Sequence, residues 1–175
     1  IAFQRAHGLG ANGAVTWAVA QALRVAVGAT QTTVQTTTVP GGRATISNGL
    51  AIAPASAPTS VKAVIEAGNR IAFRPYVWGG GHGSWNASGY DCSGSVSYAL
   101  AAAGLVSAPM VSGGFENWGD SGPGRWITIY ANAGHVWMEV AGWRFDTVAL
   151  AAGGTRWSRS GGEFSGFVVR HPPGL

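Results

Sequence analysis

The sequence predicts an α+β fold in which helices precede an antiparallel sheet. Apolar residues recur at helical spacing over residues 61–72 and again over 92–103. The last third of the chain changes to short segments rich in β-branched and aromatic residues, separated by Gly and Asn turns. Helices followed by antiparallel strands are the layout of an α+β domain, and 175 residues suffice for about one such domain plus a short additional segment.

Composition excludes several classes of protein. Hydrophobic residues make up 46% of the chain and charged residues only 10%, which excludes a disordered, highly charged chain. The net charge is +4, but the basic residues are scattered, so we expect no nucleic-acid partner. The longest uncharged run, residues 92–115, contains serines, a proline and glycines, so we expect no membrane span.

The chain divides by composition into three segments. Residues 1–27 contain a short predicted helix over 16–27, residues 28–60 form a Thr-, Ala- and Pro-rich linker, and residues 61–175 form the main domain. A hairpin around Pro40-Gly41-Gly42 is the alternative within the linker, because β-branched residues favour strands. Thr59 or Ser60 would cap the first helix of the main domain, which ends before Pro75.

The single cysteine begins the second predicted helix. Residues 76–83 begin with aromatic side chains and continue with glycines, and a loop connects them to Cys92. Gly104 is predicted to end the helix. One cysteine excludes an internal disulfide and a multi-cysteine zinc site, which leaves a packed thiol, an intermolecular link or a nucleophile. A helix N-terminus and a neighbouring imidazolium would both lower the thiol pKa.

Strands are predicted over residues 125–130, 135–140, 143–148 and 166–170. If Ala141-Gly142 is a two-residue turn, Trp137 pairs with Asp146 and His135 with Val148. The alternation of side chains then brings five residues to one face: His135, Trp137, Glu139, Arg144 and Asp146. Asp146 would lie diagonally across from His135 and orient its ring, which is the arrangement of a Cys-His-Asp triad.

Structural interpretations stand beside these. A free cysteine is more often a small buried hydrophobe, His135 could cap a strand, and Asp146 could accept turn hydrogen bonds. Glu139 and Arg144 are predicted as a cross-strand ion pair. We expect surface or packing roles for the other two histidines of the main domain, His82 and His171. The eight tryptophans are expected in the core and the cleft wall, and exposed ones could stack on sugar rings.

Three motifs in order resemble the NlpC/P60 family of bacterial cell-wall cysteine peptidases. They are Pro75-Tyr76-Val77-Trp78-Gly79-Gly80, then Asp91-Cys92-Ser93-Gly94 opening a helix, then Gly134-His135-Val136 opening a strand. The resemblance covers residues 61–175. It implies a papain-like α+β fold whose members hydrolyse peptide bonds in peptidoglycan stems, commonly between γ-D-glutamyl and a diamino acid.

The resemblance also implies roles for individual residues. Cys92 matches the family nucleophile and His135 its base, and Asp146 falls near the third polar position, where the family often has His at a spacing that differs by one residue. Tyr76, Asp91 and Ser93 match the positions that line the substrate pocket beside the nucleophile. Trp78 and Trp137 are also expected to bind substrate. Trp137 departs from the family, which usually has Gly at that position, and the large ring would narrow a subsite or block it.

The start of the chain resembles the latter half of a small helical peptidoglycan-binding domain. The matching residues are Phe3-Gln4-Arg5-Ala6-His7-Gly8-Leu9, Asn12-Gly13 and Thr16-Trp17. The preceding helix of such a domain is missing from this sequence, and the loop before Thr16 is shorter. We therefore expect residues 1–27 to be a truncated module.

The predicted function is that of a peptidoglycan endopeptidase acting through a Cys92 thioester. Two other enzymes could use the same catalytic residues, an N-acetylmuramoyl-alanine amidase and an acyltransferase. A third alternative is a wall-binding protein whose site is closed by Trp137. Peptidoglycan is the expected partner, no cofactor or metal is implied, and a monomer is expected. No signal-like segment opens the chain, so for a secreted or envelope protein we expect the export signal outside this sequence.

Overall fold

A computed structural model of the protein describes residues 42–152, 154–159, 161 and 164–175. The helix predicted over 16–27, the segment 1–27 and the first part of the predicted linker lie outside these residues. Within the described ranges, no helix is long and apolar enough to cross a lipid bilayer.

The fold consists of three α-helices, a small hairpin and a six-stranded antiparallel sheet within the described residues. The helices are α1 (Thr59–Ile71), α2 (Cys92–Ala101) and α3 (Thr147–Ala151), and a 3-10 helix spans Ser112–Asn117. The strands are β1 (Thr45–Ser47), β2 (Leu50–Ile52), β3 (Asp120–Ser121), β4 (Ile127–Asn132), β5 (His135–Val140), β6 (Trp143–Phe145), β7 (Trp157–Arg159) and β8 (Val168–His171). The sheet order is β3-β8-β4-β5-β6-β7.

Both predicted helices of the main domain are confirmed. The predicted cap of the first one is wrong, because the N-cap of α1 is Pro58 and no side chain caps it, in place of Thr59 or Ser60. α1 buries the stripe formed by Val61, Val64, Ile65 and Ile71, which recurs at helical spacing. A Cβ at Gly68 would lie 2.7 Å from the Trp157 ring, so this glycine lets the helix approach the sheet closely. α1 packs on α2, and α2 packs on β5, so the nucleophile candidate lies between the helical layer and the central strands.

Residues 42–58 are folded, in contrast to the linker expected for them. β1 and β2 form a hairpin whose turn is Asn48-Gly49, with φ of 50° and 77°. The alternative hairpin around Pro40-Gly41-Gly42 lies outside the described residues, apart from Gly42. The Asn69 side chain hydrogen-bonds both backbone groups of Ala51, at 2.9 and 2.8 Å, which fixes the hairpin to α1. Short strands surrounded by Thr, Ser and Pro give a weak sequence signal because their stability comes from such distant contacts.

The β5–β6 hairpin has the predicted turn but a shorter second strand. Ala141-Gly142 connects the strands and Val140 pairs with Trp143, as expected. The last pair is Met138 with Phe145, so the predicted pairings of Trp137 with Asp146 and of His135 with Val148 do not form. The strand ends because the Asp146 carboxylate accepts the Val148 N–H at 3.1 Å and thereby caps α3.

Candidate active site

The helix side of the site is the start of α2 together with the glycine segment 79–82. Asp91 is the N-cap of α2: its Oδ1 accepts the Gly94 N–H at 2.7 Å, while its Oδ2 accepts the Gly79 N–H at 3.1 Å. The Asp91 N–H in turn donates to the Gly80 carbonyl at 3.2 Å. One carboxylate therefore fixes the glycine segment to the helix N-terminus that carries Cys92.

His82 belongs to this side, although the sequence indicated only a surface or packing role for it. Its Nε2 lies 3.1 Å from Asp91 Oδ1 and 3.2 Å from Ser93 Oγ. Ser93 Oγ also donates to Asp91 Oδ1 at 3.2 Å, and both of these residues are buried. The polar side chains on either side of Cys92 thus form one hydrogen-bonded group with an imidazole.

The sheet side of the site begins at His135, the first residue of β5. Its Nε2 lies 3.0 Å from Asp146 Oδ1, which leaves Nδ1 to face Cys92. The structure brings His135 and Asp146 together as the sequence predicted, but the carboxylate arrives from the N-cap of α3 and not from a strand position.

Arg144 holds the far side of Asp146. Its Nε and Nη2 donate to Asp146 Oδ2 at 2.9 and 2.5 Å, and its Nη1 donates to the Gly161 carbonyl at 3.0 Å. Arg144 does stand opposite Glu139 in the β5–β6 register, as predicted. The sequence did not predict these two charged hydrogen bonds to one oxygen of Asp146, which hold the carboxylate on the side away from His135.

The electrostatics of this chain favour a charged pair. Burial alone would raise the pKa of the Cys92 thiol, but hydrogen bonds from His135 and the Val136 N–H, with the nearby positive charge, bring it below its ordinary value. Burial opposes the charging of His135, and the hydrogen bonds to Asp146 and Cys92 outweigh it, raising its pKa to about 9. The same imidazolium and Arg144 outweigh the burial of Asp146 and lower the pKa of that carboxyl.

These three residues have the arrangement needed for nucleophilic acyl transfer. The thiol is half-buried at a helix N-terminus, the imidazole contacts it, and the carboxylate orients the second ring nitrogen. A thiolate beside an imidazolium is the reactive form of cysteine at neutral pH.

The protein is similar to solved structures from mycobacteria. The peptidoglycan hydrolase RipB from Mycobacterium tuberculosis is 30% identical, and the match covers 68% of this chain and 68% of RipB with a TM-score of 0.51. The chain belongs to the NlpC/P60 family of cell-wall peptidases. Its α+β arrangement, with helices packed on an antiparallel sheet, is the papain-like fold of that family.

Two further structures are similar to this NlpC/P60 chain. The P60 domain of antigen MAP1204 from M. avium subspecies paratuberculosis is 27% identical over 63% of this chain and 93% of that one, with a TM-score of 0.49. Rv1477, a hypothetical invasion protein of Mycobacterium tuberculosis, is 26% identical over 63% of this chain and 61% of its own, with a TM-score of 0.48. No family model and no curated protein sequence matches the chain.

Trp137, the departure from the usual NlpC/P60 pattern, is buried and not part of an open subsite. Its side chain is 0% exposed, its ring stacks on Tyr130 at a centroid distance of 4.0 Å, and the Arg144 guanidinium lies 3.9 Å from its centroid. Phe164 and Phe167 complete the surroundings of the ring. The substrate-binding role expected for Trp137 is therefore corrected: it packs beneath Arg144 and presents no surface to a ligand.

The aromatic residues of the Pro75–Gly80 motif are exposed. Tyr76 is 46% exposed and Trp78 is 87% exposed. Burial raises the pKa of Tyr76, and the negative charges of Cys92 and Asp91 raise it further, so the phenol lies within electrostatic range of the thiol. In this NlpC/P60 domain the structure thus brings Tyr76, Asp91 and Ser93 around Cys92, while Trp78 lies on the open surface of the same segment.

Proposed function

We propose that this chain is a peptidoglycan hydrolase of the cell envelope that cleaves stem-peptide bonds through a Cys92 thioester. The observation that carries the proposal is the sequence of contacts from Cys92 through His135 to Asp146, with the thiol pKa lowered and the imidazole pKa raised to about 9. RipB, a peptidoglycan hydrolase, supports the choice of substrate.

In the proposed first step the Cys92 thiolate attacks a peptide carbonyl carbon. The carbon–nitrogen bond breaks, and the proton on His135 passes to the departing amine. In the second step His135 takes a proton from water, the resulting hydroxide attacks the thioester, and the Cys92 thiolate leaves. Asp146 keeps the imidazole oriented in both steps, and Arg144 holds Asp146.

Backbone N–H groups at the start of α2, together with the Tyr76 phenol, are proposed to hold the oxyanion. The N-terminus of a helix directs unpaired N–H groups outward, and Tyr76 lies within electrostatic range of the thiol. Asp91 and Ser93 are proposed to meet the polar groups of a stem peptide, with His82 beside them. The bond proposed is γ-D-glutamyl to diamino acid, the one commonly cut in this family.

Fragment analysis tests the proposal. The chain is incubated with bacterial peptidoglycan, and the soluble products are identified by mass spectrometry. We expect fragments ending in γ-glutamate, none of them with Cys92→Ala, and a fall of about 10²–10⁴-fold in rate with His135→Ala. The matched control is His171→Ala, since His171 also lies beside a carboxylate, at 4.0 Å from Asp120, and should leave the rate unchanged.

Other outcomes assign the alternatives. Muramic acid freed of its peptide would identify an amidase, and a new amide or ester on an added acceptor would identify an acyltransferase. No fragments from the wild-type chain, together with Cys92 alkylation as slow as that of an unactivated thiol, would overturn the proposal in favour of a wall-binding protein.

A further inference from the structure

Arg156 is a fully buried arginine outside the proposed triad. Its side chain is 0% exposed, and it lies between α3 and β7 in the chain. The guanidinium and Nε donate to one hydroxyl and four backbone carbonyls: Ser95 Oγ at 3.0 Å, Ile71 O at 2.5 Å, Arg74 O at 2.6 Å, Pro75 O at 3.5 Å and Tyr90 O at 3.1 Å. The planar guanidinium, with its five N–H donors, thus binds acceptors on several sides at once.

The acceptors belong to the segments that carry the site. Pro75 precedes Tyr76, and Tyr90 precedes the Asp91 cap of the nucleophile helix. Ser95 also donates to the Asp91 carbonyl at 2.7 Å, so it links Arg156 to that cap through one further hydrogen bond. The loop before Tyr76 and the start of α2 are therefore fixed to a common side chain.

The backbone of Arg156 reaches the other side of the site. Its carbonyl accepts the Asp146 N–H at 2.8 Å, and its own N–H donates to the Ala72 carbonyl at 3.0 Å. The residue thus connects the backbone of Asp146, whose carboxylate is proposed to orient His135, with the segment that carries Cys92.

The charge of Arg156 is not matched by a carboxylate, since no ion pair to it is found among the described residues. Burial lowers its pKa to about 10, so the guanidinium remains charged at neutral pH. A buried cation that binds only neutral oxygens is costly to desolvate.

We propose that Arg156 is a positioning residue that sets the start of α2, and with it Cys92, against His135 and the Tyr76 loop. The inference rests on the proposed function for its effect on turnover, but its effect on the Cys92 thiol is independent of any substrate. A shift of about 1 Å between reacting groups costs about 10²-fold in rate.

The test compares Arg156→Met and Arg156→Lys with Arg170→Met. Arg170 is the matched control, because it also binds a backbone carbonyl, Glu116 O at 2.7 Å, and a serine hydroxyl, Ser121 Oγ at 2.8 Å, away from the site. Two quantities are measured on the folded chains: the pH midpoint of Cys92 alkylation by iodoacetamide, and kcat/KM on peptidoglycan. Near-ultraviolet circular dichroism confirms that each variant is folded.

We expect Arg156→Met to move the alkylation midpoint to higher pH and to lower kcat/KM by about 10²-fold, with Arg170→Met at wild-type values. Arg156→Lys keeps the charge but not the fork, so it should fall between the two and carries the test if the methionine variant does not fold. Wild-type alkylation midpoints in the folded Arg156 variants would overturn the inference. If no chain cleaves peptidoglycan, the proposed function fails, while the midpoints still decide the role of Arg156.

Discussion

Two aspartates on opposite sides of the site have nearly the same local structure. Asp91 and Asp146 are both helix N-caps, and each places Oδ1 near a histidine Nε2, at 3.1 Å from His82 and 3.0 Å from His135. The second oxygen differs: that of Asp91 accepts a neutral N–H from Gly79, whereas that of Asp146 accepts two bonds from Arg144.

For an N-cap aspartate beside a histidine, the partner of the second carboxylate oxygen therefore determines its chemical role. On the helix side the carboxylate fixes backbone segments, so its loss should change geometry and local charge only. On the sheet side the carboxylate lies between an imidazolium and a guanidinium, so its loss leaves cations without their partner.

Removal of each carboxylate should show this difference most strongly. Asp146→Ala should cost about 3–5 kcal/mol of unfolding free energy, because it leaves Arg144 and His135 unpaired at a buried position. Asp91→Ala should cost about 1 kcal/mol, the usual value of an N-cap. Asp120→Ala, which removes an exposed carboxylate 4.0 Å from His171, is the control and should stay within about 0.5 kcal/mol.

Urea unfolding measures these three values, and pH sharpens the test. The contribution of Asp146 is complete above 3.8, its unfolded value, and is lost as pH falls through its lowered folded pKa. The contribution of His135 is complete below 6.5 and is lost as pH rises through about 9. The gap between wild type and Asp146→Ala should therefore be widest between pH 3.8 and 6.5, and equal costs for the two aspartates would contradict the comparison.

The packing beneath Arg144 is a second difference, since Trp137 supports only the sheet side. Trp137→Leu removes the stack on Tyr130 and the contact with the guanidinium, so we expect a loss of about 2 kcal/mol. Trp78→Leu is the control: its ring is exposed, and its effect on unfolding should stay within about 0.5 kcal/mol. Urea unfolding measures both variants. If Trp137→Leu and Trp78→Leu lost similar amounts of unfolding free energy, Trp137 would not support Arg144.

Sequence patterns predicted the site residues that stand at the start of a helix or a strand. Cys92 opens a helix with apolar periodicity and His135 opens an alternating strand, so both could be placed before any contact was known. Asp146 was placed near His135 by alternation, although the strand ends one residue earlier. The predicted face was correct because the two-residue turn fixed the register.

The residues that sequence reasoning missed act through long loops. His82 reaches Asp91 because the glycine segment folds back on α2, and no periodicity marks such a path. Arg156 binds carbonyls 66 to 85 positions earlier in the chain, and backbone acceptors are identical at every residue. Alternation placed Trp137 on the same face as His135. Its burial depends on Phe164 and Phe167, which pack against the ring from a distant part of the chain.

The smallest expected effects concern the pH profile, where the two carboxylates should act on opposite limbs. Asp146→Asn keeps a hydrogen-bond acceptor but removes the negative charge that raises the His135 pKa, so the alkaline limb of kcat/KM should move down from about 9. The acid limb, set by the Cys92 thiol, is the second quantity to follow.

Asp91→Asn should move that acid limb and leave the alkaline one in place. Asparagine is as good an N-cap as aspartate, so the start of α2 should persist with little change in stability. The charge of Asp91 raises the thiol pKa, and its removal should therefore shift Cys92 alkylation to lower pH. If Asp91→Asn instead moved the alkaline limb, Asp91 would be acting on the His135 charge as Asp146 does, and the difference between the two carboxylates would not hold.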